Sequence, residues 1–262
     1  MDLQLNGKRA LITGGSRGIG FQVARSLRSE GVRVALAARD PERLAAAAAR
    51  LGDDVVTAEV DTGDDERVRS AVDRVRSLLG GIDILVNCAA EPNGSAGRII
   101  PSRTTDEQFW AAVNVKTVGY LRTARAVAPG MVAQGWGRII NVSGLAARSA
   151  GDFVATTRNV GVAALSKNLA DELGPHGVNV TVVHPGMTET ERTPGTVARM
   201  AAETGQTVEQ VRARLAAGSS IGRTVTAEEV AWVITFLASP RAVAMNGDPV
   251  VAGGGAPGPI HY

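Results

Sequence analysis

The segment Thr13-Gly14-Gly15-Ser16-Arg17-Gly18-Ile19-Gly20 constrains this chain more than any other. Before it, Lys8-Arg9-Ala10-Leu11-Ile12 ends in three apolar residues and predicts a buried strand. After it, Phe21 to Leu27 carries apolar residues at helical spacing. A glycine-rich turn between strand and helix predicts a phosphate site. Gly14 can take the backbone angles of a tight turn. Gly18 and Gly20 lack side chains that would keep a pyrophosphate from the backbone or the helix from the sheet. The first amides of the helix, with Ser16 and Ile19 beside them, then point at the anion. Taken alone, these glycines also admit an ordinary turn, so the rest of the chain must decide.

Strand and helix patterns alternate along the remainder. Strands are predicted at Val32–Ala37, Val55–Val60, Ile82–Val86, Arg138–Val142, Val178–Val183 and Pro249–Ala252. Helices are predicted after Asp40-Pro41, over Asp64–Leu79, about Asp106–Ala133, about Val154–Leu173 and over Ala227–Ala238. Thr226 and Glu229 have the spacing of a capping box. Met187 to Ser220 is polar and threonine-rich, then helical. This order predicts one α/β domain over 1–262, a Rossmann-like, doubly wound parallel sheet of about seven strands with helices on both faces. Ligands of such sheets bind beyond the carboxyl ends of the strands, so the loops after Ile12, Ala37, Val60, Val86, Val142 and Val183 should share one site.

Composition narrows the function. The 28 basic and 26 acidic residues nearly balance, which argues against nucleic acid or an anionic membrane as a partner. Cys88 is the only cysteine, and His176, His184 and His261 are too scattered for a metal site, so none is expected. No charged-then-apolar leader and no membrane-length apolar run is present, which makes a cytoplasmic protein the expectation.

These features together resemble the short-chain dehydrogenase/reductase family over nearly the whole chain. Thr13-Gly14-x-x-x-Gly18-x-Gly20 matches its cofactor motif, and Asp61, followed by Thr62, matches its adenine-contacting acid. Asn87-Cys88-Ala89-Ala90 matches its Asn-Asn-Ala-Gly turn with two departures, Ala90 standing where a glycine is usual. Asn114 matches the helix asparagine that supports the active site. His184-Pro185-Gly186-Met187-Thr188-Glu189-Thr190 matches the loop beside the nicotinamide, and Arg223, Glu229 and Phe236-Leu237-Ala238-Ser239 match the C-terminal helix. The resemblance implies a small-molecule substrate and a homodimer or homotetramer, with the helices at 106–133 and 154–173 forming one interface.

The same resemblance exposes a gap. The family's Ser-Tyr-Lys set would fall at Gly144, Ala155 and Asn159, and the only tyrosines are Tyr120 and Tyr262. Ala155 cannot transfer a proton. Asn159 keeps hydrogen-bonding capacity toward ribose hydroxyls but carries no charge. Replacement candidates are His184, whose ordinary pKa suits proton transfer but which can equally be packed at a strand end, and Ser143, one residue from the expected serine and turned to the other face by strand alternation unless the loop bulges. Asp152, Thr156, Thr157 and Arg158 surround the tyrosine position. Arg158 lies about 100° round the helix from Asn159, which predicts a solvated or interface role. Glu91 and Pro92 border the pocket, and Glu189, Glu191 and Arg192 begin the loop that closes over substrate in the family.

Cofactor choice follows from charge. Sites for a free ribose 2′-hydroxyl place an acid at the end of the second strand; here that position is Ala38, followed by Arg39, with Arg17 inside the glycine loop. Two guanidinium groups favour NADP(H) over NAD(H). The alternative is two solvated arginines, Arg39 being paired with Asp40. The expected activity is NADP(H)-dependent oxidoreduction of a carbonyl, imine or activated alkene at a non-standard site. The alternatives are a non-redox enzyme catalysing elimination, isomerisation or cyclisation, and a cofactor-binding regulatory or structural subunit.

Overall fold

The computed structural model describes residues 1–90 and 100–258. Glu91, Pro92, His261 and Tyr262 lie outside the described residues. Seven parallel strands form one sheet: β1 (Arg9–Thr13), β2 (Arg33–Ala38), β3 (Val56–Glu59), β4 (Ile84–Asn87), β5 (Gly137–Val142), β6 (Val178–Pro185) and, last in the chain, β9 (Pro249–Ala252). A short parallel pair, β7 (Thr188–Glu189) and β8 (Val225–Thr226), stands apart. The sheet order is β3-β2-β1-β4-β5-β6-β9, so the winding reverses between β1 and β4. That switch point sits directly beyond Thr13 and Asn87, which face each other in register.

Period-two alternation divides the strands between two cores. Ala10, Ile12, Val34, Leu36, Ile84 and Val86 pack under α1 (Gly18–Ser29), α2 (Pro41–Leu51) and α9 (Ala227–Leu237). Leu11, Ala35, Leu85 and Ile139 pack under α3 (Asp65–Leu79), α5 (Gly119–Ala133) and α6 (Phe153–Leu173). Helix starts follow the expected chemistry: Asp40 and Asp64 accept first-turn amides, Pro41 takes the first helical position, and Thr226 and Glu229 close a capping box. The threonine-rich segment folds as β7, α7 (Thr193–Thr204) and α8 (Val208–Ala217). No described helix is long and apolar enough to cross a membrane.

The helix expected from 106 to 133 is interrupted. It runs as α4 (Asp106–Val113), a π-helical turn over Asn114–Val118, and then α5. The cause is competition for carbonyls. Thr62 Oγ1 donates to the Val115 carbonyl at 2.9 Å, and Arg122 donates to the carbonyls of Asn114 and Thr62. The Gly119 amide then bonds back to Asn114 in the wide turn. A Cβ at Gly119 would stand 2.9 Å from Thr62 Cβ, so only glycine lets the turn lie this close to the loop after β3.

Candidate functional site

A cleft of about 370 Å³ opens at the switch point, where the glycine loop meets the loops after β2, β3 and β4. Gly14, Ser16, Arg17, Gly18, Ile19 and Gly20 form its floor. Arg39, Thr62, Ala89 and Thr190 line its walls, along with Val115 and Val142. The floor tolerates little added bulk. A Cβ on Gly14 would approach Ala89 N to 2.9 Å, and one on Gly20 would approach Gly14 O to 2.4 Å. Gly18 adopts φ +55°, a left-handed conformation that favours glycine. Arg17 precedes α1 without capping it by a side chain, which leaves the first helical amides to a ligand. Ala90 is exposed at the rim, so its methyl does not close the cleft.

Charge collects at this end. Burial lowers the Arg17 pKa, and so do the nearby guanidinium groups of Arg192, Arg43 and Arg39; Glu191 opposes them. Asp40, the partner that the alternative reading gave to Arg39, pairs with Arg43 at 3.0 Å. Arginines gathered round a glycine cradle fit a ligand with several phosphates, so the residues present suit a phosphorylated dinucleotide. Arg43 had no sequence signal beyond its place on α2, and Arg192, expected to begin a substrate loop, lines this cleft.

Other expected cofactor residues are tied into the surrounding structure. Asp61 accepts the Gly63 amide through Oδ1 at 2.9 Å. Asn87 is fully buried; its Oδ1 accepts the hydroxyls of Thr13 (3.2 Å) and Thr123 (2.9 Å), and its Nδ2 donates to Asn141 (2.9 Å). Asn141 continues the chain to Ser166. This polar layer pins β1, β4, β5, α5 and α6 together at their active ends. Pro185 ends β6 beside Ala252, and Gly186 packs on Gly253.

The residues at which the resemblance would put the family's catalytic set lie at the end of β5 and in the first turns of α6. Gly144 and Asn159 meet where β5 ends against the start of α6. A Cβ on Gly144 would lie 3.1 Å from Asn159 Nδ2. Ala155 is buried, and its amide donates to Asp152, the N-cap of α6. Ser143 donates to the Asn159 carbonyl at 3.0 Å, so its hydroxyl faces α6 and is occupied there. Asn114 donates to the Gly63 carbonyl, bracing the π-turn. His184 is buried; burial, with help from Arg148 and against a hydrogen bond to the Gly144 backbone, pushes its pKa down to about 4 and leaves a neutral imidazole. Tyr120 is sealed in the core, where it donates to Val142 O at 3.1 Å.

The residue the sequence reading missed is Lys116. It sits in the π-turn at 5% exposure, and its Nζ donates to Asn159 Oδ1 at 2.8 Å and to Ser143 O at 2.9 Å. Burial, reinforced by Arg158, pushes its pKa down to about 7. Arg158 itself is 7% exposed, so of the solvated and interface roles its helical angle allowed the structure excludes the solvated one; α6 packs against the π-turn, and Thr117 donates to the Arg158 carbonyl. A signal for Lys116 was present. Ala112, Lys116, Tyr120, Thr123, Ala124, Val127 and Met131 form one buried stripe at helical spacing, with a lysine inside it.

Comparison with known proteins fits this geometry. The family profile described as short chain dehydrogenase matches residues 8–201. The short-chain reductase protein NovJ of Streptomyces niveus is 35% identical over 95% of this chain and 93% of its own length. The 3-oxoacyl-[acyl-carrier-protein] reductase FabG of Aquifex aeolicus is 30% identical over 97% of this chain and 99% of its own. Among solved structures, L-sorbose reductase from Gluconobacter frateurii, complexed with NADPH and L-sorbose, superposes with a TM-score of 0.91 at 30% identity, covering 99% of this chain and 100% of that one. The fold and site therefore define an oxidoreductase class, and the chain belongs to the short-chain dehydrogenase/reductase family.

Proposed function

We propose that this chain is an NADP(H)-dependent oxidoreductase with a non-standard active site, acting on a small carbonyl, imine or activated alkene. The observation that carries the reading is the glycine cradle with Arg17, Arg39, Arg43 and Arg192 gathered at its end. That arrangement suits a dinucleotide bearing a 2′-phosphate better than one bearing a free hydroxyl. The relatives named above are reductases, one of them solved with NADPH, which supports the same class of reaction. A bound NADP(H) would supply the hydride. The chain's own part is to hold phosphate on the loop amides and guanidinium groups, and to bound the other end of the cleft with Val115 and Val142.

A second reading rests on three observations. Ala155 offers no proton, Tyr120 is sealed in the core, and burial keeps His184 neutral. A cofactor-binding regulatory or structural subunit would need no proton donor. The two readings separate in one experiment. The purified chain is titrated with NADPH by nicotinamide fluorescence and then assayed against ketones, imines and activated alkenes at 340 nm. NADPH oxidation with any of them supports the enzyme. Tight binding without turnover, together with a stable second polypeptide on pull-down, supports the subunit.

A further inference from the structure

Three features of the catalytic corner coincide. The side chain of Asn159 stands where the family resemblance expects a lysine. A lysine does reach that point, but from the π-turn of a neighbouring helix. Lys116 Nζ is 2.8 Å from Asn159 Oδ1. The strand end above has lost its side chain, so Asn159 Nδ2 lies 3.1 Å from where a Gly144 Cβ would be. Because an ammonium can only donate, it fixes the amide with its oxygen inward and its NH₂ toward Gly144.

We propose that Lys116 and Asn159 work as one unit: the buried ammonium orients and polarises the Asn159 amide, whose Nδ2 hydrogens are presented at Gly144 to an uncharged oxygen of the bound ligand, either a ribose hydroxyl of the dinucleotide or the carbonyl of the substrate. Lys116 is the positioning residue and Asn159 makes the contact. The inference rests on the oxidoreductase reading above.

The arrangement has electrostatic support from every side. Cys88 at the end of β4 is a neutral thiol, its pKa pushed up to about 12 by burial. Burial likewise keeps Tyr120 on α5 neutral, well above its ordinary value. His184 on β6 is neutral, its pKa pushed down to about 4. Arg158 on α6 is the other charge nearby. Among the described residues no carboxylate pairs with Lys116, so its ammonium is neutralised by no ion pair and its field acts on the amide it touches. The Ser143 carbonyl, the second acceptor, locks the ammonium against the end of β5. A lysine kept buried without a counter-ion is costly, and such groups gather at functional sites.

The test uses the full chain and four variants: Lys116→Met, Lys116→Arg, Asn159→Asp and the double Lys116→Met/Asn159→Asp. NADPH affinity is measured by fluorescence, and kcat and KM on whichever carbonyl is turned over, from pH 6 to pH 9; circular dichroism checks each fold. Each single change at the pair should weaken the affected quantity by about tenfold or more, with Lys116→Arg falling less than Lys116→Met. The double variant should lose no more than the worse single variant, since both remove one coupled unit. Wild type should lose the affected quantity as pH rises through about 7, where Lys116 gives up its proton. Lys116→Met and Lys116→Arg should show no such step, the first having no charge and the second keeping it. A loss confined to NADPH affinity identifies the ribose as the acceptor; a loss in kcat/KM at unchanged affinity identifies the substrate carbonyl. Wild type that binds NADPH while Lys116→Met matches it in affinity, kinetics and pH profile overturns the inference alone, as do strictly additive effects. Wild type that binds no NADPH overturns the functional reading and the inference with it.

Discussion

At Lys116, stability and function pull in opposite directions. The folded protein holds this side chain in a dry site, lowering its pKa from 10.5 to about 7. Between those values the unfolded chain binds a proton that the native state does not, so native stability rises with pH across that window. Measured by urea denaturation, wild type should therefore gain stability relative to Lys116→Met between about pH 7 and pH 10; parallel curves would show that the lysine titrates normally. Below pH 7 the charged form is the one bonded to Asn159, and the fold bears its burial. Arg39 poses the simpler case of a charge facing the cleft. Arg39→Asp should raise the Kd for NADPH by at least about tenfold, about 1.4 kcal/mol, while sparing NADH. An equal loss for both dinucleotides would remove the 2′-phosphate from the assignment. Arg17 and Arg39 were legible because they fall within or beside motif positions. Arg43 was not, and Lys116 was marked only as a lysine inside a buried stripe, since its meeting with Asn159 is decided by how separate elements pack.

At the scale of elements, the corner beside Gly144 is built by α6 and the π-turn together. The strands, the glycine turn and the helix starts were legible because alternation, glycine placement and capping residues are local properties. The π-turn was not legible. It arises when Thr62, distant in sequence, captures the Val115 carbonyl and Arg122, two turns on, captures that of Asn114, while Gly119 allows the close approach. Because that turn delivers a lysine, refilling the positions that the resemblance assigns to Ser-Tyr-Lys should fail by itself. Gly144→Ser/Ala155→Tyr/Asn159→Lys would place a second ammonium where Lys116 Nζ now ends, 2.8 Å from the present Asn159 oxygen. Two ammonium groups in one buried site repel. Adding Lys116→Met to that triple variant should raise its ketone reduction roughly 100-fold or more, the scale expected when general acid catalysis becomes available. If the triple variant is already as active as the quadruple one, the two lysines do not compete.

For the whole molecule, the parallel sheet collects the described candidate groups at the carboxyl ends of its strands, while three packed helices on one face carry apolar side chains that the monomer leaves outside. Phe109 on α4 stacks on Phe153 on α6 with ring centroids 5.8 Å apart. Around them Trp110 is 61% exposed, Val160 46% and Leu121 37%, contributed by α4, α6 and α5 in turn. Exposed large residues on mutually packed helices mark a surface for association, and a closed homo-oligomer would bury it symmetrically. We propose that α5 and α6 dock on their counterparts in a second copy, giving a dimer or tetramer. The consequence reaches the site, because the π-turn and the Ala155–Asn159 stretch lie on the inner side of the same helices. Val160→Glu would bring like charges together across a two-fold contact, at a position whose exposure leaves the monomer fold intact. By light scattering after size exclusion, wild type should run at two or four times the mass of one chain and Val160→Glu at a smaller multiple. The variant should also bind NADPH more weakly, since its helices lose their outer support. A wild type that is monomeric at micromolar concentration, or a Val160→Glu variant of unchanged mass, would mean that this face serves no self-association.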